Sequence, residues 1–190
     1  MVKLTAITQR FLGLSLALAL TVPVAHAQSG ASRVAPVLAR VLSYDRTLTA
    51  RAGGQIDLVI VHSSGAPASS SQGRALATAF AGLGQQTIQG LPLHVHLVDL
   101  GAAGVGALPS GTDVLVLCDG IPAATSNALF AHARARRLLV VTLSRAALES
   151  HGAVAVFMED GRPRIVTKMR HVQDTGIQLA SPLLRLSEVI

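Results

Sequence analysis

Ser144, His151 and Asp119 are the residue types that hydrolytic enzymes combine. A serine nucleophile needs an imidazole in hydrogen-bonding reach to take its proton and a carboxylate to orient that imidazole. No serine here sits in a G-x-S-x-G elbow, and nothing in the spacing brings the three together, so the sequence does not support a triad. His94 and His96 alternate along one apolar run and would share a strand face, which is half of a metal site. No carboxylate or third histidine beside them completes the ligand count, and a solvated strand face or satisfied histidines are the favoured reading. Gly101 to Gly106 (GAAGVG) lacks the terminal Lys-Ser or Lys-Thr of a phosphate loop and reads as a connection. No catalytic residue, metal or cofactor is therefore expected.

The elements that carry these residues follow from hydrophobic spacing. Val34, Val37, Leu38, Val41 and Leu42 predict a helix from near Ser32 to near Leu48. Gln55 to His62 (QIDLVIVH), Pro92 to Asp99, Asp113 to Cys118 and Leu138 to Leu143 are short apolar runs that read as buried strands. Ser63 to Ser71 reads as a loop, Gln72 to Leu83 as a helix, and Ala123 to Arg137 as a second helix opened by Pro122. Nearly continuous hydrophobic strands spaced by helices indicate an α/β domain of three layers with a mostly parallel sheet. Gly152 to Met158 and Pro163 to Met169 flank an Asp-Gly turn and predict a C-terminal antiparallel hairpin. His171 to Thr175 reads as a helical turn stopped by Gly176, and Ser181 to Val189, with Ser181 as N-cap, as a docked terminal helix.

Such a fold offers binding positions even without catalysis. Ligands of open α/β sheets sit beyond the carboxyl ends of the strands, which makes Ser63, Ser64, Asp99, Asp119 and Ser144 the candidate ligand-binding residues. Ser69 to Ser71 lie just ahead of a helix start and could hold an anion, although helix capping is the favoured reading. On the second hairpin arm Arg162, Arg164, Lys168 and Arg170 occupy even positions, with Ile165, Thr167 and Met169 at odd ones. Period-two alternation would make one basic face there, a candidate partner-binding surface for an acidic protein or anionic lipid, or else a solvated strand.

Residues 1–27 carry Lys3 and Arg10, an apolar core from Phe11 to Leu20, and Ala25, His26 and Ala27 at the processing positions. They read as a secretory signal peptide, cleaved after Ala27, followed by one domain over residues 28–190. The apolar core falls short of the roughly 20 residues that span a bilayer, so the expected location is the periplasm or the exterior. Net charge is +6, and Lys3 and Arg10 leave with the leader, so the mature surface is mildly basic. With Tyr44, Phe80, Phe130 and Phe157 as its aromatics, it suits neither nucleic acid nor a stacking platform for sugars. Cys118 is the single cysteine, so no disulfide can form within one chain. Burial as a small hydrophobe is its favoured reading, and an intermolecular disulfide the alternative.

The segment from Gly152 to Ile165 (GAVAVFMEDGRPRI), followed by Thr175, Gly176 and Ile177 and by Ser181 to Leu186 (SPLLRL), resembles the C-terminal signature of the YfiR-like family of exported bacterial proteins. Leu91 to Val95, Asp113 to Asp119 and Leu139 to Ser144 fall in the order of that family's strands, so the resemblance covers most of residues 55–190. Ile165 and Lys168 depart from it, standing where members often have an aromatic and an Asn. The resemblance implies a non-enzymatic periplasmic domain, similar to half of a periplasmic binding protein. Its implied partner is a membrane-bound signalling protein such as a diguanylate cyclase or a sensor kinase, with a homodimer left open. The alternative is a one-lobe solute-binding protein that holds a small ligand on the strand-end rim.

Overall fold

In the computed structural model, which describes residues 24–101 and 103–190, the apolar runs become an eight-stranded sheet. Its strands are β1 (Ile56–His62), β2 (Thr87–Ile88), β3 (Leu91–Asp99), β4 (Val114–Leu117), β5 (Leu139–Thr142), β6 (Val154–Glu159), β7 (Arg162–Thr167) and β8 (Glu188–Val189). They lie in the order β2, β3, β1, β4, β5, β6, β7, β8. From β3 through β6 every neighbouring pair is parallel, while β2 with β3 and β6 with β7 are antiparallel. The sheet is mostly parallel, as the sequence predicts.

Alternation along each strand explains the three layers. Ile56, Leu58 and Ile60 of β1, with Val114 and Val116 of β4 and Leu139 and Val141 of β5, point to one face. There they meet Val34, Leu38, Val41 and Leu42 of helix α1 (Val24–Leu42), Leu48 of α2 (Leu48–Ala52), and Leu76 and Phe80 of α3 (Pro67–Gly82). Val59, Val61, Leu115, Leu117 and Val140 point to the other face, under Leu129 and Ala133 of α4 (Ala123–Arg136). Most of these side chains are fully enclosed, and each contributes about 1.5–3 kcal/mol relative to exposure. Strand ends on both sides are thereby fixed to a rigid core.

Several boundaries differ from the sequence reading for physical reasons. The first helix starts earlier, at Val24, and stops at Leu42, after which Asp45 accepts bonds from Thr47 and Arg51 and opens the separate α2. Ser69 to Ser71 are not a loop before a helix: Pro67 occupies the first helical turn, so all three serines lie inside α3. A short α5 (Arg145–His151) follows β5, capped by Ser144, whose Oγ accepts the Ala147 N–H at 3.3 Å. The hairpin forms as expected, with positive φ at Asp160 (49°) and Gly161 (73°), the signature of a type I′ turn. Beyond it β7 ends at Thr167 and the chain enters α6 (Met169–Thr175), which Gly176 terminates in the left-handed conformation. The last helix, α7 (Ser181–Leu186), has Ala180 rather than Ser181 at its N-cap. It is not the end of the fold, because β8 follows and adds a parallel edge beside β7.

Of the expected leader, residues 1–23 lie outside the described residues, and residues 24–27 fall in the first turn of α1. Among the described residues no helix is long and apolar enough to cross a membrane.

Candidate functional site

The connections fix where a site can form. From β1 the chain passes through α3 to β3 on one side, and from β4 through α4 to β5 on the other. The carboxyl ends of β1 and β4 therefore flank the point where the winding reverses, the usual ligand crevice of doubly wound sheets. Ser63 and Ser64 follow β1, Asp119 follows β4, Asp99 ends β3 and Ser144 follows β5. All five predicted rim residues lie along one sheet edge.

They form two separate polar pairs. Asp99 Oδ1 accepts the backbone N–H groups of Ser64 (3.0 Å) and Gly101 (3.2 Å), which ties the end of β3 to the loop after β1. Hydrogen bonding from the Ser64 side chain, then from its backbone, holds the Asp99 carboxyl below its ordinary range. Asp119 forms the second pair: Ser144 Oγ donates to its Oδ1 at 2.5 Å. Ser63 joins neither carboxylate. Its N–H donates to Ser69 Oγ at 3.2 Å and its carbonyl accepts from Ser70 Oγ, whose hydroxyl also meets His62 Nδ1 at 3.3 Å. Ser69 and Ser70 thus stitch helix to strand, which engages two of the three hydroxyls that the anion reading needed, while Ser71 is exposed.

Gln72 belongs to the site and was not singled out from the sequence. Its Nε2 donates to Asp119 Oδ2 at 2.9 Å and its Oε1 accepts the Asp119 N–H at 2.7 Å, an amide clamp from α3 onto the end of β4. A glutamine 47 positions away carries no local signal of such a contact.

The triad types do come near one another, but in the wrong relation. Asp119 bonds the serine directly, and His151 Nε2 instead meets Asn127 Oδ1 at 2.7 Å. A carboxylate on the serine with the imidazole turned elsewhere is a capped helix start, not a relay. His94 and His96 gain the carboxylate that the sequence did not place: His96 Nε2 lies 2.8 Å from Asp57 Oδ1 on β1. Among the described residues no group of three metal-ligating side chains forms. Cys118 is buried, and burial with the adjacent Asp119 pushes its thiol up to about 12.

The four basic residues do not form one strand face. Arg162 and Arg164 alternate outward on β7, but Lys168 lies past the strand end, with Nζ donating to the Glu149 carbonyl, and Arg170 sits on α6. The alternation stops where the backbone leaves the strand. On the face that remains, Arg164 Nε donates to Glu159 at 2.7 Å, and Arg145 clamps Glu188 with bonds of 2.9 and 2.6 Å. Leu186, Val189 and Ile190 are exposed along the adjacent edge, at 59%, 48% and 47%. A depression of about 330 Å³ joins Arg164 and Leu186 to Val37 and Arg40 of α1.

Solved structures share this architecture. A conserved domain protein from Vibrio cholerae O1 biovar eltor superposes with a TM-score of 0.58 at 12% identity, over 84% of this chain and 59% of that one. The ABC domain from Streptococcus pneumoniae, solved in complex with L-Trp, gives 0.50 at 11% identity, over 79% of this chain and 62% of that one. The chain spans about three fifths of the length of each, and at these identities the likeness concerns the fold alone. No curated protein matches it. The family model described as DUF4154, YfiR/HmsC-like, matches residues 34–188, from α1 through the hairpin to β8, and the chain therefore belongs to the YfiR/HmsC-like family.

Proposed function

We propose that this protein is a non-enzymatic periplasmic regulator that binds the periplasmic part of a membrane-bound signalling protein, of the diguanylate cyclase or sensor kinase type. The observation that carries the reading is the family match over residues 34–188, which takes in nearly the whole described chain. The leader composition of residues 1–27 supports export. Non-enzymatic action fits a rim in which Ser144 serves as a helix cap and His151 is engaged by Asn127.

The partner surface is the hairpin edge. Arg162 is exposed and enters no ion pair among the described residues, Arg164 is shared with Glu159, the exposed Leu186 shares a depression with Arg164, and Val189 and Ile190 are exposed farther along, at the Thr167 end of β7. Apolar side chains rimmed by arginine suit an acidic protein surface with an apolar centre. Lys168 and Arg170 contribute less, because the first is engaged by Glu149 and the second lies on another element.

The test is capture of membrane proteins from envelope extracts on the immobilised protein, followed by reconstitution of the captured protein in vesicles. Its cyclase or kinase output should change when this protein is added on the periplasmic side. Unchanged output, or hydrolytic turnover by the added protein itself, would overturn the reading.

A further inference from the structure

A cavity of about 520 Å³ opens at the strand ends on the side of α1 and α3, within the usual range of small-ligand sites of about 300–1,000 Å³. Val34, Leu76, Leu143, Val156 and Met158 supply apolar walls, and among the described residues Asp119 is the one ionisable group of the lining. Gln72 and Ser144, both neutral, orient that carboxylate. Asp119, like Asp99 and Asp113, forms no ion pair with a basic side chain among the described residues, and it is the acid that lines this cavity. Neutral donors fix its direction and leave its charge uncompensated beside apolar walls, where a cation gains most from approaching it.

We propose that this cavity binds a small primary amine with an aromatic or branched aliphatic body, its ammonium on Asp119 and its body against Val34, Leu76, Leu143 and Met158. An intact amino acid would bring a carboxylate into a lining that, among the described residues, holds no lysine, arginine or histidine, so the decarboxylated amine is the preferred class. The cavity borders the first arm of the hairpin through Val156 and Met158 of β6, but a ligand test on the isolated protein neither needs nor presumes the membrane partner.

Calorimetry with 2-phenylethylamine, its neutral N-acetyl derivative and phenylalanine, on protein purified from the envelope, tests this. The amine should bind, and the other two should bind at least about tenfold more weakly, the scale of one lost charge pair. Asp119→Asn should erase the preference for the amine. Ala75→Phe, which fills the cavity from α3 and keeps the Asp119 carboxylate, should abolish binding of all three, with melting curves checking that both variants fold. No binding by any of the three compounds would overturn the proposal. Equal binding of amine and N-acetyl derivative, unaffected by Asp119→Asn, would also overturn it and leave an apolar groove for a peptide segment.

Discussion

Gly161→Val isolates the cost of one backbone angle. Gly161 has φ of 73°, and a Cβ built on it meets nothing within 4 Å, so sterics with the surroundings contribute nothing. What remains is the left-handed conformation itself, which costs an L-residue about 1–2 kcal/mol, with a β-branched side chain at the upper end. The turn cannot escape freely, because β6 and β7 pair in register up to Glu159 and Arg162, and Arg33 Nη1 donates to the Gly161 carbonyl at 2.8 Å. For a domain of this size the loss corresponds to about 2–8 °C in melting temperature. Gly161→Asn is the control, since asparagine tolerates positive φ and should lose far less. Thermal melts followed by circular dichroism decide the matter. An unchanged Gly161→Val protein, or an equal loss in both variants, would show that the positive φ at Gly161 is not what limits the turn.

Three further outcomes follow from other parts of the fold. Gly152→Ala places a methyl 2.7 Å from Thr142 Cγ2 and 3.1 Å from Leu148 Cδ1, and this overpacking should cost about 1–3 kcal/mol in urea unfolding; wild-type stability would show that α5 shifts freely. Burial holds His171 below its ordinary 6.5, despite a hydrogen bond to the Gly152 carbonyl that acts the other way. A depressed folded-state value means stability is fully present above 6.5 and declines as pH falls through the folded value, so melting temperature should drop on acidification and His171→Gln should flatten that slope. Cys118, buried with its thiol pushed up to about 12, should resist alkylation in the native protein and react only on unfolding; rapid native labelling or a disulfide-linked dimer on non-reducing gels would contradict this.

The parts of the fold legible in the sequence are those whose signal is local and repeated. Four apolar runs became β1, β3, β4 and β5, and Asp160 with Gly161 made the expected turn. Short elements escaped because they repeat too little: α5 buries only Leu148, and β8 is two exposed residues held by pairing with β7. Composition misled at Ser69 to Ser71, where small polar residues suggested a loop but Pro67 and close packing on β1 made a helix. Extrapolation misled at Lys168 and Arg170, because period-two alternation holds only while the strand lasts, and β7 ends at Thr167. The rim was placed from topology, yet its internal order depends on Gln72, a contact that no spacing rule supplies.

If the protein acts by docking its hairpin edge on a membrane partner, association of the purified protein with that partner should depend on salt and on the arginines of β7, and binding at low and high salt decides it. Arg162→Glu with Arg164→Glu should weaken binding about tenfold or more at low salt and make the remainder less sensitive to salt, since rim charges set encounter rate and specificity. The fold should survive, because both side chains are exposed and the one bond lost, Arg164 to Glu159, lies at the surface. Unaltered affinity and salt dependence in a folded double variant would contradict the account and move the search to the rim at Ser63, Asp99, Asp119 and Ser144.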